Sequence, residues 1–229
     1  MAIHLLTGAG AGIGAAVARR LADRGDDLVL VGRDGPRAKE LADAFPGARG
    51  VAADLADPAG LAAALEGALP DRLDSLIHVA GVVELGPVAE TEAAVWRLTM
   101  DVNLVAPAEL TRLCLPALRA ARGQVVMVNS GSGLRANPQW SAYAASKHGL
   151  KALADALRAE EQEHGVRVSS VYPGRVATAM QEKVHRQEGK EYDPADWIDA
   201  ESVATTLLTA LDLPRDAELT DVTVRPGPR

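Results

Sequence analysis

The sequence is poor in cysteine, in long apolar runs and in positive charge, and each scarcity excludes a class of protein. Cys114 is its only cysteine, so an intramolecular disulfide is impossible and a buried thiol is expected. No run of 18 apolar residues occurs, so we expect neither a membrane span nor a membrane partner. The formal net charge is −7, which argues against a nucleic-acid-binding surface.

The remaining composition is that of an ordinary globular chain. It has 229 residues, of which 48% are hydrophobic, and this fits one domain over residues 1–229 with a substantial core. The segment Met1-Ala2-Ile3-His4 carries no basic region and leads directly into a predicted strand. A cleaved signal peptide is therefore not expected, and the prediction is a cytoplasmic protein.

Apolar runs alternate with helical patterns along the whole chain. The candidate strands are residues 3–7, 28–31, 48–53, 75–80, 124–129, 166–171 and 219–224. This alternation predicts an α/β fold of the Rossmann type, a doubly wound parallel sheet of about seven strands with helices on both faces, in three layers. Its ligand crevice should lie at the carboxyl ends of the strands.

A glycine-rich segment follows the first predicted strand. Thr7 precedes glycines at positions 8, 10, 12 and 14, and a helical stretch then runs to Arg24 and stops at Gly25. Such a loop lets the backbone approach a pyrophosphate, whose charge sits at the positive end of the helix dipole. The alternative is a turn that merely packs helix against strand; the strand, loop, helix and second strand favour the phosphate site.

A Tyr and a Lys lie four residues apart, at Tyr143 and Lys147, and on a helix they project from one face. A neighbouring ammonium favours the phenolate, so we expect Lys147 to lower the pKa of Tyr143 and make it an acid–base catalyst. Ser130 ends a buried strand 13 residues upstream and could join them. Ser132 and His148 are disfavoured as catalysts, because glycines interrupt the strand before Ser132 and His148 points about 100° away from Lys147.

Together these segments resemble the short-chain dehydrogenase/reductase family, from Ile3 to about Val224. The motifs that carry the resemblance are Thr7 to Gly14 (TGxxxGxG), Asp54, Asn103, Ser130, Tyr143 with Lys147, and Pro173 to Thr178 (PGxxxT). The resemblance implies a catalytic tetrad of Asn103, Ser130, Tyr143 and Lys147. It also implies a dinucleotide site formed by Thr7, Gly8, Gly12, Ile13, Gly14, Arg33, Asp54, Leu55, Ala80, Gly81, Tyr143, Lys147, Pro173, Gly174, Val176 and Thr178. No metal is implied.

One motif departs from the family's pattern. The family usually has Asn-Asn-Ala-Gly after the fourth strand, whereas this chain has His78-Val79-Ala80-Gly81. His78 could replace one of the lost hydrogen bonds, or it could be a satisfied structural histidine, which we favour. The substitution bears on cofactor geometry and stability.

The end of the second strand bears on the choice of cofactor. NAD-preferring members of this fold place an acid there, and Gly32 occupies that position here. Arg33 follows it and could bind a 2′-phosphate. Asp34 would restore the acid if the register were shifted by two. We predict NADP(H) in preference to NAD(H).

The function implied is hydride transfer between NADP(H) and a small carbonyl or alcohol substrate. The alternatives are an NAD-dependent alcohol dehydrogenase, a non-catalytic dinucleotide-sensing protein, and a nucleotide-sugar epimerase, for which the chain after Thr178 is too short. The family implies a homodimer or homotetramer. We expect an irregular substrate lid at about residues 179–198, with Trp140 and Trp197 as pocket walls or plain core aromatics.

Overall fold

The computed structural model describes residues 1–228, and these contain one seven-stranded sheet in which every pairing is parallel. Its strands are β1 Ile3–Thr7, β2 Asp27–Gly32, β3 Ala48–Ala52, β4 Ser75–His78, β5 Gln124–Val128, β6 Arg167–Pro173 and β7 Asp221–Val224. Their order across the sheet is β3-β2-β1-β4-β5-β6-β7. The predicted Rossmann-type fold is confirmed, and each strand lies within two residues of its predicted bounds.

Helices cover both faces of this sheet. They are α1 Gly12–Asp23, α2 Gly35–Ala44, α3 Leu61–Ala64, α4 Ala93–Met100, α5 Ala106–Ala121, α6 Ser141–Glu161, α7 Ala179–Gln187 and α8 Ala200–Asp212. A π-helical segment, Asp101–Val105, joins α4 to α5. In the described part of the chain, no helix has the length and apolar character needed to cross a membrane.

Alternating side chains of the strands create two separate cores. Leu5 packs with residues of α3, α5 and α6, whereas its neighbour Leu6 packs with residues of α1, α2 and α8. Successive side chains of a strand point to opposite faces, so a strand buried on both faces reads as a continuous apolar run. Cys114 lies fully buried in the first core, and burial raises the pKa of its thiol to about 12, as expected for an inert structural cysteine.

The sheet order reverses between β1 and β4, and this switch point positions the site. After β1 the chain turns at Gly8, whose φ is +76° and where a Cβ would lie 2.7 Å from the Ala80 nitrogen. The Thr7 hydroxyl accepts hydrogen bonds of 3.2 Å from the backbone N–H groups of Val79 and Ala80. The loops that follow β1 and β4 are therefore in contact, and only glycine at position 8 permits it.

The segment 179–198 is not irregular as predicted, because its first half is the helix α7. Thr178 caps this helix by accepting from the Gln181 N–H, and the chain leaves it through Gly189, at φ +66°. The helix is polar in sequence, and only a short inner face, including Val184, is buried. Because few apolar residues mark its buried face, the sequence shows no clear helical period there. At the end of the segment, Ile198 forms an isolated parallel β-bridge with Val176, which lies just before the segment begins.

Candidate active site

The glycine loop and the start of α1 form a cradle for an anion. Helix α1 begins after Ala11 with no side-chain cap and no acidic residue in its first turn, so its first N–H groups are free for a ligand. Gly12 has φ +53°, and a Cβ there would lie 2.8 Å from the Thr178 methyl carbon. A Cβ on Gly14 would lie 2.1 Å from the Gly8 carbonyl oxygen. The cradle fits a pyrophosphate and has no room for side chains.

Most of the predicted site residues line one cavity of about 750 Å³ at this edge of the sheet. Those that line it are Gly8, Gly12, Ile13, Ala80, Gly81, Ser130, Tyr143, Lys147, Pro173, Gly174, Val176 and Thr178. Thr7 and Gly14 are buried beneath the loop. Asn103 does not line the cavity, but its side chain lies next to the lining residue Gly81. A Cβ on Gly81 would lie 3.1 Å from the Asn103 Oδ1.

Ser130 lies at the start of a tight turn just after β5. Its Oγ accepts a hydrogen bond of 3.1 Å from the Ser132 N–H. The hydroxyl is also hydrogen-bonded to Tyr143, which lowers the pKa of that phenol. The backbone N–H of Ser132 therefore orients the hydroxyl of Ser130, the residue that the sequence motifs predict to be catalytic. The side chain of Ser132 takes no part in this contact.

Tyr143 and Lys147 project from α6 into the cavity and are both almost fully buried. Burial raises the pKa of Tyr143 above its ordinary value, and the bond from Ser130 only partly offsets this. The expectation that Lys147 lowers the Tyr143 pKa is therefore wrong for the protein alone. The Lys147 Nζ lies 5.8 Å from the centre of the Tyr143 ring and donates instead to the Val128 carbonyl, at 3.0 Å.

Burial has the opposite effect on the amine. It disfavours the charged ammonium and lowers the pKa of Lys147 to about 8. At that value the amine still carries a proton at neutral pH but can release and recover it readily. Lys147 is thus suited to relay protons as well as to supply charge.

Asn103 lies in the π-helical segment, a distortion that is common at functional sites. Its side chain binds the backbone of Val82 twice, with Oδ1 accepting from the N–H at 2.8 Å and Nδ2 donating to the carbonyl at 2.9 Å. Nδ2 also lies 3.1 Å from the Ser146 Oγ. Asn103 therefore fixes the loop that follows β4 against α6.

Asn129 is a site residue that the sequence analysis missed. Its Oδ1 accepts from the Ser130 N–H at 2.8 Å, and its Nδ2 donates to the Lys147 carbonyl at 3.0 Å. One buried amide thus joins the end of β5 to α6. The available signal was a polar residue at the end of an apolar strand, directly before Ser130.

A second hollow, of about 780 Å³, continues the site on the other side of the glycine loop. Arg33, Asp54 and Leu55 line it, as predicted, together with Arg37. The guanidinium of Arg37 covers the glycine loop, since a Cβ on Gly10 would lie 1.8 Å from its Nη2. Arg37 was also missed, because only the fold brings the first turn of α2 onto this loop.

Asp34 is committed to a structural role. Its Oδ1 caps α2 by accepting from the Arg37 N–H at 2.8 Å, and this bond is the main reason that its pKa is lowered. The Arg33 Nε lies 3.1 Å from the other Asp34 oxygen. A side chain at Gly32 is excluded, because its Cβ would lie 2.5 Å from the Ala38 nitrogen.

His78 lies in the core rather than in the cavity. It is buried, and its Nε2 lies 3.0 Å from the Thr111 Oγ1 on α5. Burial, with the charge of Lys147, lowers the pKa of His78 to about 3, so the imidazole is neutral. These contacts support the structural interpretation. Val79 lines the cavity and contributes only its backbone and apolar side chain.

The two tryptophans have different positions. Trp140 lines the cavity and meets the Tyr143 ring edge to face, with centres 5.8 Å apart. Trp197 is not part of the lining; it packs on His185 and beneath the guanidinium of Arg175, 5.3 Å from the ring centre. The exposed His148 has its Nδ1 2.8 Å from the Ala144 carbonyl oxygen and takes no part in the site. No cluster of metal-ligating side chains occurs within residues 1–228.

Comparison with known proteins agrees with this geometry. The family model for short chain dehydrogenases matches residues 2–189. The chain is 34% identical to dehydrogenase/reductase SDR family member 7B of Bos taurus, over 92% of this chain and 70% of that protein. It is 35% identical to oxidoreductase UcpA of Escherichia coli O157:H7, over 95% of this chain and 83% of that protein.

A solved structure gives the same result. A metagenomic short-chain oxidoreductase in complex with NADP superposes with a TM-score of 0.81 at 32% identity, covering 99% of this chain and 97% of that one. The sequence motifs, the sheet order and these relatives together show that the chain belongs to the short-chain dehydrogenase/reductase family of oxidoreductases.

Proposed function

We propose that the protein transfers a hydride between NADP(H) and a small carbonyl or alcohol substrate by a Ser-Tyr-Lys mechanism with support from Asn103. The observation that carries the proposal is one cavity that joins the glycine cradle to Ser130, Tyr143 and Lys147. A cradle without this triad would fit a dinucleotide-sensing protein equally well.

Each residue has a separate role in the proposed reaction. The nicotinamide would donate or accept the hydride at the substrate carbon. Ser130 donates a hydrogen bond that polarises the carbonyl, and Tyr143 gives a proton to its oxygen in reduction. Burial raises the pKa of Tyr143, so the phenol holds its proton at neutral pH until the substrate oxygen takes it in the reaction. Lys147, with a pKa of about 8, replaces that proton, and Asn103 positions a water on the route from solvent.

Tyr143→Phe tests the mechanism, because it removes the proton donor and keeps the ring. We expect turnover to fall about 10²- to 10⁴-fold, while NADPH binding measured by calorimetry falls far less, because the ring of residue 143, Lys147 and the glycine cradle all remain. Tyr172→Phe is the matched control: it also removes a phenol, one that donates to Asp221 outside both cavities. Wild-type turnover in Tyr143→Phe would rule out the mechanism. Binding without turnover in the wild type would favour a sensing role.

The preference for NADP(H) is supported by the hollow beside the glycine loop. Arg33 and Arg37 both border it; each pairs with one carboxylate, Asp34 and Glu40 respectively, and its other N–H groups can donate to a 2′-phosphate. The acid that an NAD site requires is lacking, since Gly32 has no room for a side chain and Asp34 caps α2. The NAD-dependent alternative is therefore disfavoured.

Cofactor choice is tested by titrating NADPH and NADH in parallel. Removing one charge-assisted contact costs about 1.5–3 kcal/mol, so Arg33→Ala and Arg37→Ala should each weaken NADPH binding about 10- to 100-fold and leave NADH unaffected. Arg49→Ala, at an exposed position in neither cavity, is the control. Tighter binding of NADH by the wild type would overturn the preference. Gly32→Asp is unsuitable as a test, because it would displace α2.

Two further parts of the proposal concern the lid and the assembly. α7 is held over the cavity by Lys183, which donates to the Val83 carbonyl and pairs with Glu84, and we assign it as the substrate lid.

Leu98 and Val105 expose nearly half of their surface beside the helix that bears Asn103, which supports a homodimer or homotetramer. Sedimentation at micromolar concentration should show the oligomer, and a pure monomer would contradict it.

A further inference from the structure

The charges around the catalytic cavity are strongly unequal. The charged side chains that line it, among the described residues, are Arg135, Lys147, Arg175, Glu188 and Arg225. The formal count is four cations against one carboxylate, in a chain whose net charge is −7. A cavity with this imbalance attracts anions.

Two of these cations already have partners. Arg175 and Glu188 form a two-pronged ion pair, with N–O distances of 2.6 and 3.0 Å, and Trp140 and Trp197 flank the guanidinium. Lys147 donates to the Val128 carbonyl. The single carboxylate is thereby neutralised, and neither Arg175 nor Glu188 is free for a ligand.

The other two cations are unpaired. Within residues 1–228 the guanidinium groups of Arg135 and Arg225 form no hydrogen bond and no ion pair. Arg225 follows β7 directly and reaches across the edge of the sheet to Gly131, where a Cβ would lie 2.7 Å from its Nη1. Gly131 is the residue after Ser130, and the guanidinium borders the same cavity as the Ser130 hydroxyl.

The phosphates of a dinucleotide do not account for Arg225. The cradle at α1 and the hollow with Arg33 and Arg37 provide for them, and Arg225 does not border that hollow. The side chain instead faces the end of the cavity where Ser130 and Tyr143 would hold the reacting carbonyl. Arginine at such a position suits a planar anion bound by two parallel hydrogen bonds.

We infer that the substrate is a short oxo acid or hydroxy acid, whose carboxylate binds Arg225, with Arg135 adding attraction at the cavity mouth. The inference rests on the proposed oxidoreductase function and specifies its substrate class. Since Arg225 lies beside the residue that follows Ser130, the carboxylate should be only a few bonds from the reacting carbonyl.

The test compares acids with their neutral esters in the presence of NADPH. The probes are 2-oxobutanoic, 3-oxobutanoic and 4-oxopentanoic acid, each with its methyl ester. For each pair the ratio of kcat/KM values, acid over ester, is measured in the wild type and in Arg225→Gln. Dividing the two ratios cancels the intrinsic reactivity of the carbonyl. Arg225→Lys and the exposed Arg49→Gln are the controls.

We expect the ratio to fall about 10- to 100-fold in Arg225→Gln, because the KM for the acid rises much more than the KM for the ester. Arg225→Lys should recover part of the loss, because it keeps the charge without the paired geometry. Arg135→Gln should have a smaller effect that disappears at high salt, and Arg49→Gln should have none.

Calorimetry of the three acids with the NADP⁺-loaded protein gives a second readout that does not require turnover. Weaker binding in Arg225→Gln than in the wild type supports the inference. An unchanged acid-to-ester ratio, or acids that neither react nor bind, would overturn it. A protein that binds the acids through Arg225 but reduces no carbonyl compound would instead overturn the proposed oxidoreductase function.

Discussion

Acid should destabilise this protein through His78, because burial keeps its imidazole neutral in the folded state. The folded state holds His78 neutral, with a pKa of about 3, while the ordinary value of 6.5 applies once the chain unfolds. Between these values the unfolded chain binds a proton that the folded chain cannot. Stability is therefore complete above about pH 6.5 and is lost progressively as the pH falls toward 3.

The expected loss can be calculated for a moderate change. From about pH 7.5 to about pH 5, protonation of the unfolded His78 lowers the free energy of unfolding by about 2 kcal/mol. This figure depends on the ordinary pKa and hardly changes whether the folded value is 3 or 4, because both lie well below pH 5. The prediction is thus insensitive to how deep the burial penalty is.

Urea unfolding at both pH values measures the effect. In His78→Asn, which introduces the residue usual in the family, the pH-dependent loss should be smaller than in the wild type by about 2 kcal/mol. Any cavity left beside Thr111 destabilises the variant equally at both pH values and cancels. His164→Gln, at an exposed position, is the control. If His78→Asn kept the full wild-type dependence, burial of a neutral His78 would be refuted.

Other expectations follow from single contacts. Asn129→Ala should lower the free energy of unfolding by about 1–3 kcal/mol in urea titrations, by leaving the partly buried Ser130 N–H without its acceptor, and should reduce kcat because the Lys147 carbonyl is no longer tied to the residue that precedes Ser130. Gly14→Ala would place a methyl carbon 2.1 Å from a backbone carbonyl of the cradle, so calorimetry should detect no dinucleotide binding. Cys114, buried with a pKa of about 12, should react with iodoacetamide only after unfolding.

The sheet could be predicted from sequence because its signals are local. Strands buried on both faces read as continuous apolar runs, and glycines at positions 8, 12 and 14 mark backbone that must approach a neighbour closely. α7 could not be recognised in the same way. Its buried face consists of Gln181, Val184 and His185, of which only Val184 is apolar, so the sequence shows no clear helical period.

Residues that act across the sheet edge were beyond the sequence motifs. Asn129, Arg37 and Arg225 each contact a partner that is distant in sequence, and only the fold brings the pairs together. The pKa of Tyr143 is a related case, since spacing places Lys147 on the same helix face but says nothing of burial. Burial dominates, and the expected direction of the shift is reversed.

Net charge is determined by composition, whereas the positions of the individual charges are determined by the fold. The net charge of −7 argued against a surface that binds nucleic acid. Yet the fold collects Arg135, Lys147, Arg175 and Arg225 around the catalytic cavity, against the single carboxylate of Glu188. An acidic protein thus presents a cationic interior edge to its ligands. Because field lines concentrate in such a cleft, anionic ligands should be drawn to it at low salt despite the overall charge, and this attraction should weaken as ionic strength rises.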